Sequence, residues 1–437
     1  MAGVNWLTAA IYLLLPAIAW AARKSGGSWY SPAAFFAAFW CVFGGLPLIA
    51  RPISVGPGGM LFVVAACAAV FLGAWAAQRR HSATATVQVP LQEPPLLGWI
   101  IVACTLLGGA VVVFILASID VPGGASRGIS FSAIVSTIHE LAIARNAGTW
   151  LEPAAARVLT TALYLGAMLA GLMIGIRNAG SRRWLSLAVL LPSVMITVIL
   201  TTKSSLLLPL AIGASSYLAT CVAAGRPARL NLKRAAWLAG LGAVLAAAFV
   251  LVQMARDAGF SRGGLVAVVQ LLWLDVFPYL GAFSIWFQNN ALSTSLHPSL
   301  GQYTFAGVFE LLHIHSRVAG LYTDQILING TGYNIYTAFR GLIEDFTVPG
   351  ALLFLVLVGF LAQLAYRRMQ SGDLLYVGIL AAFYATTLWS FVVDIFIYNT
   401  IVLAFLVLIG YLAVASRTSF MKATTLIDRP RRASKAI

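Results

Sequence analysis

Charge is what this sequence has least of. Asp, Glu, Lys and Arg together supply 9% of the 437 residues, against roughly 25% in a soluble domain. Such a chain cannot cover a water-facing surface with polar groups, and its 60% apolar content suits a lipid-facing one. A bilayer excludes any backbone polar group without an internal partner, which leaves helices or closed barrels. The apolar runs do not alternate and extend over about 20 residues, so they read as helices.

Cysteine is scarce as well. Cys41, Cys67, Cys104 and Cys221 all fall inside apolar runs, with spacings that match no disulfide framework and no zinc site. They read as small buried apolar residues. No Lys or Arg precedes the first apolar run, whereas Arg23 and Lys24 follow it at once. That order predicts a retained helix with its N-terminus outside, not a cleaved leader. No internal repeat, low-complexity tract or soluble domain is legible.

What is present is a series of spans. They read as Trp6–Ala22, Pro32–Ala50, Met60–Gln78, Leu97–Ser118, Ala154–Ile176, Trp184–Leu200, Leu206–Ala223, Ala235–Met254, Val348–Tyr366, Leu374–Val393 and Phe396–Ser416. This predicts an all-α polytopic membrane protein of about eleven transmembrane helices, one domain over residues 1–437. With loops alternating between two sides, 19 of the 28 basic residues fall on one side, among them Arg79, Arg80, Arg182, Arg183, Arg234, Arg367 and Arg368. That side is expected to be cytoplasmic. Only Glu93, Asp373 and Asp428 of the 13 acidic residues join them. The formal charge of +15 is therefore a topological signal, not a nucleic-acid footprint, which would need a folded basic domain. After Ser416 a short basic cytoplasmic tail, 417–437, is expected to be disordered.

Chemically capable side chains collect on the other side. The longest segment between spans, 255–347, is rich in Trp, Tyr, Phe and Leu, which argues against disorder. Within it 264–288 is apolar but interrupted by Asp275 and Pro278, so a re-entrant or interfacial helix pair is expected. Trp273, Tyr279, Trp286 and Phe287 would make an aromatic interfacial shelf. Lys203, alone in the Thr201–Ser205 hairpin, reads either as a snorkelling lysine or as a fixed cation for an anionic headgroup. Arg256 and Arg262 stand at the same depth and would complete a phosphate clamp; Arg51 reads as an anchor. His313, His315 and Arg317 alternate, and can bind phosphate or move protons. A zinc site would need a third ligand that their spacing does not supply.

The richest stretch is 331–350. Arg340 and Glu344 are four apart and share a helix face, and Glu344-Asp345 is the only adjacent acidic pair in the chain. A plain helix-entry role for these carboxylates is the alternative. Here Asn334-x-Tyr336-Thr337-x-x-Arg340, followed by Asp345-Phe346-x-x-x-Gly350, resembles the signature of Wzy-type O-antigen and exopolysaccharide repeat-unit polymerases. Gly301-Gln302-Tyr303-Thr304-Phe305 resembles a second family feature. Lys203 stands where such proteins often carry an arginine.

The resemblance implies a GT-C-like glycosyltransferase of the bacterial inner membrane. It would join oligosaccharide repeats carried on undecaprenyl diphosphate at the periplasmic face, without metal or nucleotide sugar, with a chain-length regulator as a possible partner and no nucleic acid. On that reading Arg340 stabilises charge and Glu344 or one of the histidines is the base. Asp345 orients Arg340 or caps the helix, and Asn334, Tyr336 and Thr337 bind sugar hydroxyls. An O-antigen ligase, or a flippase for lipid-linked oligosaccharides, are the competing readings. A transporter should carry polar groups at mid-membrane, whereas these span centres are nearly free of charge.

Reporter fusions after Arg80, Arg183, Arg234 and Arg368 should therefore report cytoplasm, and fusions at 123–126 and near His297 periplasm. A cytoplasmic signal near His297 would overturn both the span count and the site assignment.

Overall fold

The computed structural model describes residues 5–50, 53–80, 93–118, 139–145, 149–176, 183–225, 232–256, 273, 277–291, 297–314, 322, 324–328, 331–370 and 373–433. The chain is a nearly all-helical polytopic membrane protein. Among the described residues eight helices are long and apolar enough to cross a bilayer. The first is α1 (Trp6–Tyr12) with α2 (Leu14–Gly26). It is followed by α3 (Pro32–Ala50), α4 (Pro57–Arg80), α5 (Leu97–Ala117) and α6 (Ala154–Ile176). Next come α7 (Arg183–Ala188) and α8 (Leu190–Leu200), then α9 (Ser204–Ala223) and α10 (Leu232–Arg256). Three of the eleven expected spans, at 184–200, in α10 and at 375–389, have apolar stretches of only 10 to 17 residues.

The segment that follows differs from expectation. Its first half lies largely outside the described residues. Its second half is α11 (Tyr279–Trp286), continued by a π-turn, Phe287–Ala291. Eight residues rise about 12 Å, too little to cross. Instead of forming an interfacial shelf, Tyr279, Trp286 and Phe287 are buried, and only Trp273 is substantially exposed. The Tyr279 hydroxyl donates to the Phe43 carbonyl of α3, and Phe283 and Phe287 pack on Phe62 of α4. Aromatic rings that can fill a helix crossing gain more there than at the headgroup level.

A short α12 (Ala306–Leu311) leads to a two-stranded antiparallel hairpin, β1 (Ile326–Ile328) and β2 (Thr331–Tyr333), with Ile328 opposite Thr331. The all-α reading missed it. The signal was Asn329-Gly330 between two short runs, the dipeptide favoured in two-residue hairpin loops. Then come α13 (Ala338–Gln370), α14 (Leu375–Trp389), a 3₁₀ turn (Ile395–Ile397) and α15 (Asn399–Ala433). The tail expected to be disordered continues α15 as helix to Ala433; between Arg417 and Arg429 no Gly or Pro interrupts it.

The bundle has two unlike ends. At one, Ser25 donates to Gln78, Arg367 Nη1 to the Ala77 carbonyl at 3.4 Å, and Ser416 to Asp373 at 3.1 Å. The basic ends of α2, α4 and α13 therefore share a face. At the other, Thr8 donates to the Val55 carbonyl at 2.9 Å and the Ala338 amide to the Ser390 carbonyl at 2.8 Å. Here Phe339 forms an aromatic hub, its ring centroid 4.7 Å from Trp40, 5.5 Å from Phe62 and 6.0 Å from Phe283. Pairs of this kind contribute about 0.5–1.5 kcal/mol each. The hub fixes the first turn of α13, and with it the next residue, Arg340.

In lipid, burying apolar side chains between helices brings little hydrophobic gain, so close backbone approach carries the packing. At the α4–α13 crossing a Cβ on Gly73 would lie 1.9 Å from the Val356 carbonyl oxygen, and one on Gly359 would lie 2.2 Å from that of Val70. Gly410 of α15 has open space around it. Gly359→Val should force the helices apart and lower the melting temperature in detergent by several degrees. Gly410→Ala should be neutral or stabilising by about 0.5–1 kcal/mol. Equal effects at both positions would refute the tight crossing.

Candidate active site

The site begins with a break in a helix. Unbroken, the 33 residues of α13 would extend about 50 Å, well beyond a hydrocarbon core of about 30 Å. Thr347 interrupts it with φ 62° and ψ 173°. Two residues on, Pro349 has no N–H to give the Asp345 carbonyl. The freed carbonyls are taken by a neighbouring loop: the Ser299 amide donates to the Glu344 carbonyl and the Leu300 amide to that of Asp345, both at 3.1 Å. Thr337 closes the other end of this short helix with φ 72°. A β-branched residue in the left-handed region costs of order 1–3 kcal/mol and persists only where its surroundings hold it. Residues 338–346 are thus a rigid cassette between two strained threonines.

Two carboxylates leave the cassette on different faces. Asp345, fully buried, accepts from the Tyr303 amide at 3.0 Å, the Thr304 amide at 2.6 Å and the Ser299 hydroxyl. It does not touch Arg340, as one sequence reading had it; it anchors the loop Gly301-Gln302-Tyr303-Thr304-Phe305. The two stretches singled out in the sequence therefore meet at this carboxylate.

Glu344 faces the other way, toward Arg340. The Arg340 side chain is 6% exposed, and a carboxylate meets it on each of two edges. Nε donates to Glu344 Oε1 at 3.0 Å, the helix-face pair expected from the spacing. Nη1 and Nη2 donate to both oxygens of Asp324, at 2.9 and 2.8 Å. The flat faces are covered by aromatic rings, with Cζ 3.9 Å from the Tyr322 centroid, 4.2 Å from Tyr336 and 5.1 Å from Trp286. Tyr303 stacks in turn on Tyr322 at 5.8 Å. Burial pushes the Tyr322 phenol well above its ordinary pKa and the nearby Glu344 charge adds to this, so it remains an O–H donor. Burial would also raise Asp324, but the hydrogen bonds and charge of Arg340 outweigh it and hold the carboxylate below its usual range.

Several buried oxygens here have no hydrogen-bond partner among the described residues: Glu344 Oε2 and the hydroxyls of Tyr322, Thr304 and Thr337. Unpaired buried polar atoms cost of order 1–3 kcal/mol each and commonly mark a place where a ligand supplies the partner. Beside the cassette, an apolar groove of about 710 Å³ runs from Pro298, Leu300 and Asp345 past Thr347 and Gly350 down α13 to Phe360, where Gly73 and Ala76 of α4 also line it.

The other sequence-chosen residues are more scattered. Tyr336 is buried in the cage and its hydroxyl donates to the Asp324 carbonyl at 3.0 Å. Thr337 is buried and Asn334 exposed. His313 is exposed, in a left-handed turn with φ 56°. Lys203 opens α9 next to the α8 end, where Arg145 donates to the Leu200 carbonyl; it is not among the partners of Arg340. Arg256 closes α10. Arg51, Arg262, His315 and Arg317 lie outside the described residues. The sequence reading missed Asp324, although it is the only acid between Glu310 and Glu344 and a buried arginine requires a counter-charge.

One further acid lies nearby. Asp394 is buried, caps the 3₁₀ turn by accepting from the Phe396 amide at 2.8 Å, and feels the charge of Asp345. Comparison of the chain with family models, curated proteins and solved structures finds no match.

Burial pushes Asp394 up from its ordinary 3.8 to about 7. Between those values the folded protein holds a proton that the unfolded chain has released. The Asp394 contribution to stability should therefore be greatest below about pH 4, fall as pH rises to about 7, and level off above it. Melting curves in detergent across this range should show the decline in the wild type and a shallower one in Asp394→Asn. An unchanged slope in the variant would refute the assignment.

Proposed function

We propose that this chain is a repeat-unit polymerase: a metal-independent, GT-C-like glycosyltransferase of about eleven spans in the bacterial inner membrane. It acts at the periplasmic face on oligosaccharides linked to undecaprenyl diphosphate, with its N-terminus periplasmic and its C-terminus cytoplasmic. One observation carries the reading. The short cassette 338–346, at a break in a membrane helix, carries a buried cage of arginine, carboxylates and aromatic rings on one face and, at Asp345 and Phe346, the start of an apolar groove on another. An amphipathic substrate needs that pairing, the groove for its isoprenoid chain and the cage for its reacting end.

The chemistry asks for two things. The acceptor hydroxyl loses its proton as its oxygen bonds to the anomeric carbon. The bond from that carbon to the diphosphate oxygen breaks, leaving its electron pair on the phosphate. Glu344 suits the first task, because Oε1 is fixed by Arg340 while Oε2 is free to take a proton. Arg340 and the Tyr322 hydroxyl suit the second, as preorganised donors facing developing negative charge. His313 is the alternative base. An O-antigen ligase would use the same donor with a different acceptor. A flippase would not need an unpaired carboxylate oxygen beside the arginine.

Purified enzyme in nanodiscs, given only lipid-linked repeats, should form polymer in the presence of a chelator. Glu344→Gln should slow polymerisation by about 10²–10⁴ while leaving donor binding nearly intact, and His313→Ala should be mild. Wild-type rates in both variants would remove this constellation. Product appearing only when a lipid A core acceptor is added would make the chain a ligase.

A further inference from the structure

Asp324 has no task in the scheme above, yet it occupies the edge of Arg340 best suited to an anion. Its side chain is 56% exposed while that of Arg340 is 6% exposed, so it reaches the fork from the solvent side. Both carboxylate oxygens are engaged by parallel N–H donors, the geometry with which a guanidinium also grips two oxygens of a phosphate. The guanidinium cannot turn away to another ligand: Tyr322 and Tyr336 lie within 4.2 Å of Cζ, and Glu344 holds Nε. Beyond the fork, the half-exposed Asp324 carboxylate is held by its own backbone amide and the Tyr336 hydroxyl, neutral contacts that it gives up at less cost than Arg340 would its cage. The Asp324 backbone is held by its carbonyl, which accepts from Tyr336 at 3.0 Å, so the carboxylate can rotate off while the peptide stays in place.

We propose that Asp324 is a built-in stand-in for substrate phosphate: in the resting protein its carboxylate fills the Arg340 fork, and a diphosphate group displaces it. The exchange keeps the buried arginine paired throughout, which matters because a buried charge left alone is costly. It also selects among ligands. With the Asp324 carboxylate in the fork the Arg340 charge is already paired, so a neutral sugar has nothing to replace, whereas a multiply charged diphosphate outcompetes a single carboxylate. The Tyr322 hydroxyl, buried and without a partner among the described residues, on the ring stacked over the fork, provides an additional donor to the incoming phosphate. The inference rests on the reading of a diphosphate-linked donor, and it makes Asp324 a residue that controls access, not a catalytic one.

The test reads anion binding rather than turnover. Inorganic pyrophosphate and farnesyl diphosphate are titrated calorimetrically into full-length wild type, Asp324→Asn and Asp324→Asn/Arg340→Lys in nanodiscs. Removing the internal competitor should tighten binding about tenfold, and the double variant should lose that gain. A gain with both ligands means recognition of the diphosphate alone; a gain with farnesyl diphosphate only means the group is read on its lipid. In the wild type, carbodiimide labelling of Asp324, read by mass spectrometry, should rise when pyrophosphate or farnesyl diphosphate is added, and this measurement decides the matter if the variants do not fold. Equal or weaker binding by Asp324→Asn, or labelling unmoved by either saturating ligand, overturns the proposal. Tighter binding without polymer formation would leave the anion site standing and sink only the polymerase reading.

Discussion

A guanidinium buried at the mouth of an apolar bundle has to be neutralised where it stands, and much of the site follows from that requirement. Arg340 cannot be moved, because Phe339 beside it is locked into the aromatic hub of α3, α4 and α11. It cannot lose its proton in any ordinary environment. The fold therefore brings charge to it, Glu344 from one turn along and Asp324 from the hairpin side, and covers its faces with rings whose electron-rich surfaces favour a cation. The two acids are not equivalent. Glu344 belongs to the same rigid helix and is mostly buried, whereas Asp324 is half-exposed, two residues before β1.

The second constraint is the break at Thr347. A continuous helix would satisfy its own carbonyls and leave the 299–304 loop without partners. Pro349 prevents this, the carbonyls of Glu344 and Asp345 turn outward, and the loop docks on them. The Asp345 carboxylate then takes two amides and a hydroxyl from the same loop. Charge, strain and backbone hydrogen bonding are concentrated within about ten residues of an otherwise apolar helix. Elsewhere the protein is built of close helix crossings with few polar contacts, as lipid requires.

Much of the fold could be read directly from composition and period. An apolar run of sufficient length in a charge-poor chain has few options in lipid, and the clustering of basic residues at alternate helix ends is visible by counting. The structure puts the basic ends of α2, α4 and α13 on one face for that reason. The Arg340–Glu344 pair was equally legible, since a separation of four places two side chains on the same side of a helix. Each of these features is local: it depends on residues within a turn or a span of one another.

Tertiary structure alone decided the rest. Asp324 is 16 positions from Arg340, and the amides that hold Asp345 are 41 and 42 positions away. No period connects them; only the folded path of the segment between α11 and α13 does. Rings expected at an interface were buried instead, because a helix crossing offered them closer packing than a headgroup layer. The sequence thus determined that the chain enters the membrane and where its charges gather, through physics acting along the chain. Which acid meets which base was settled across the chain, where a buried positive charge takes whichever carboxylate the packing brings within hydrogen-bond reach.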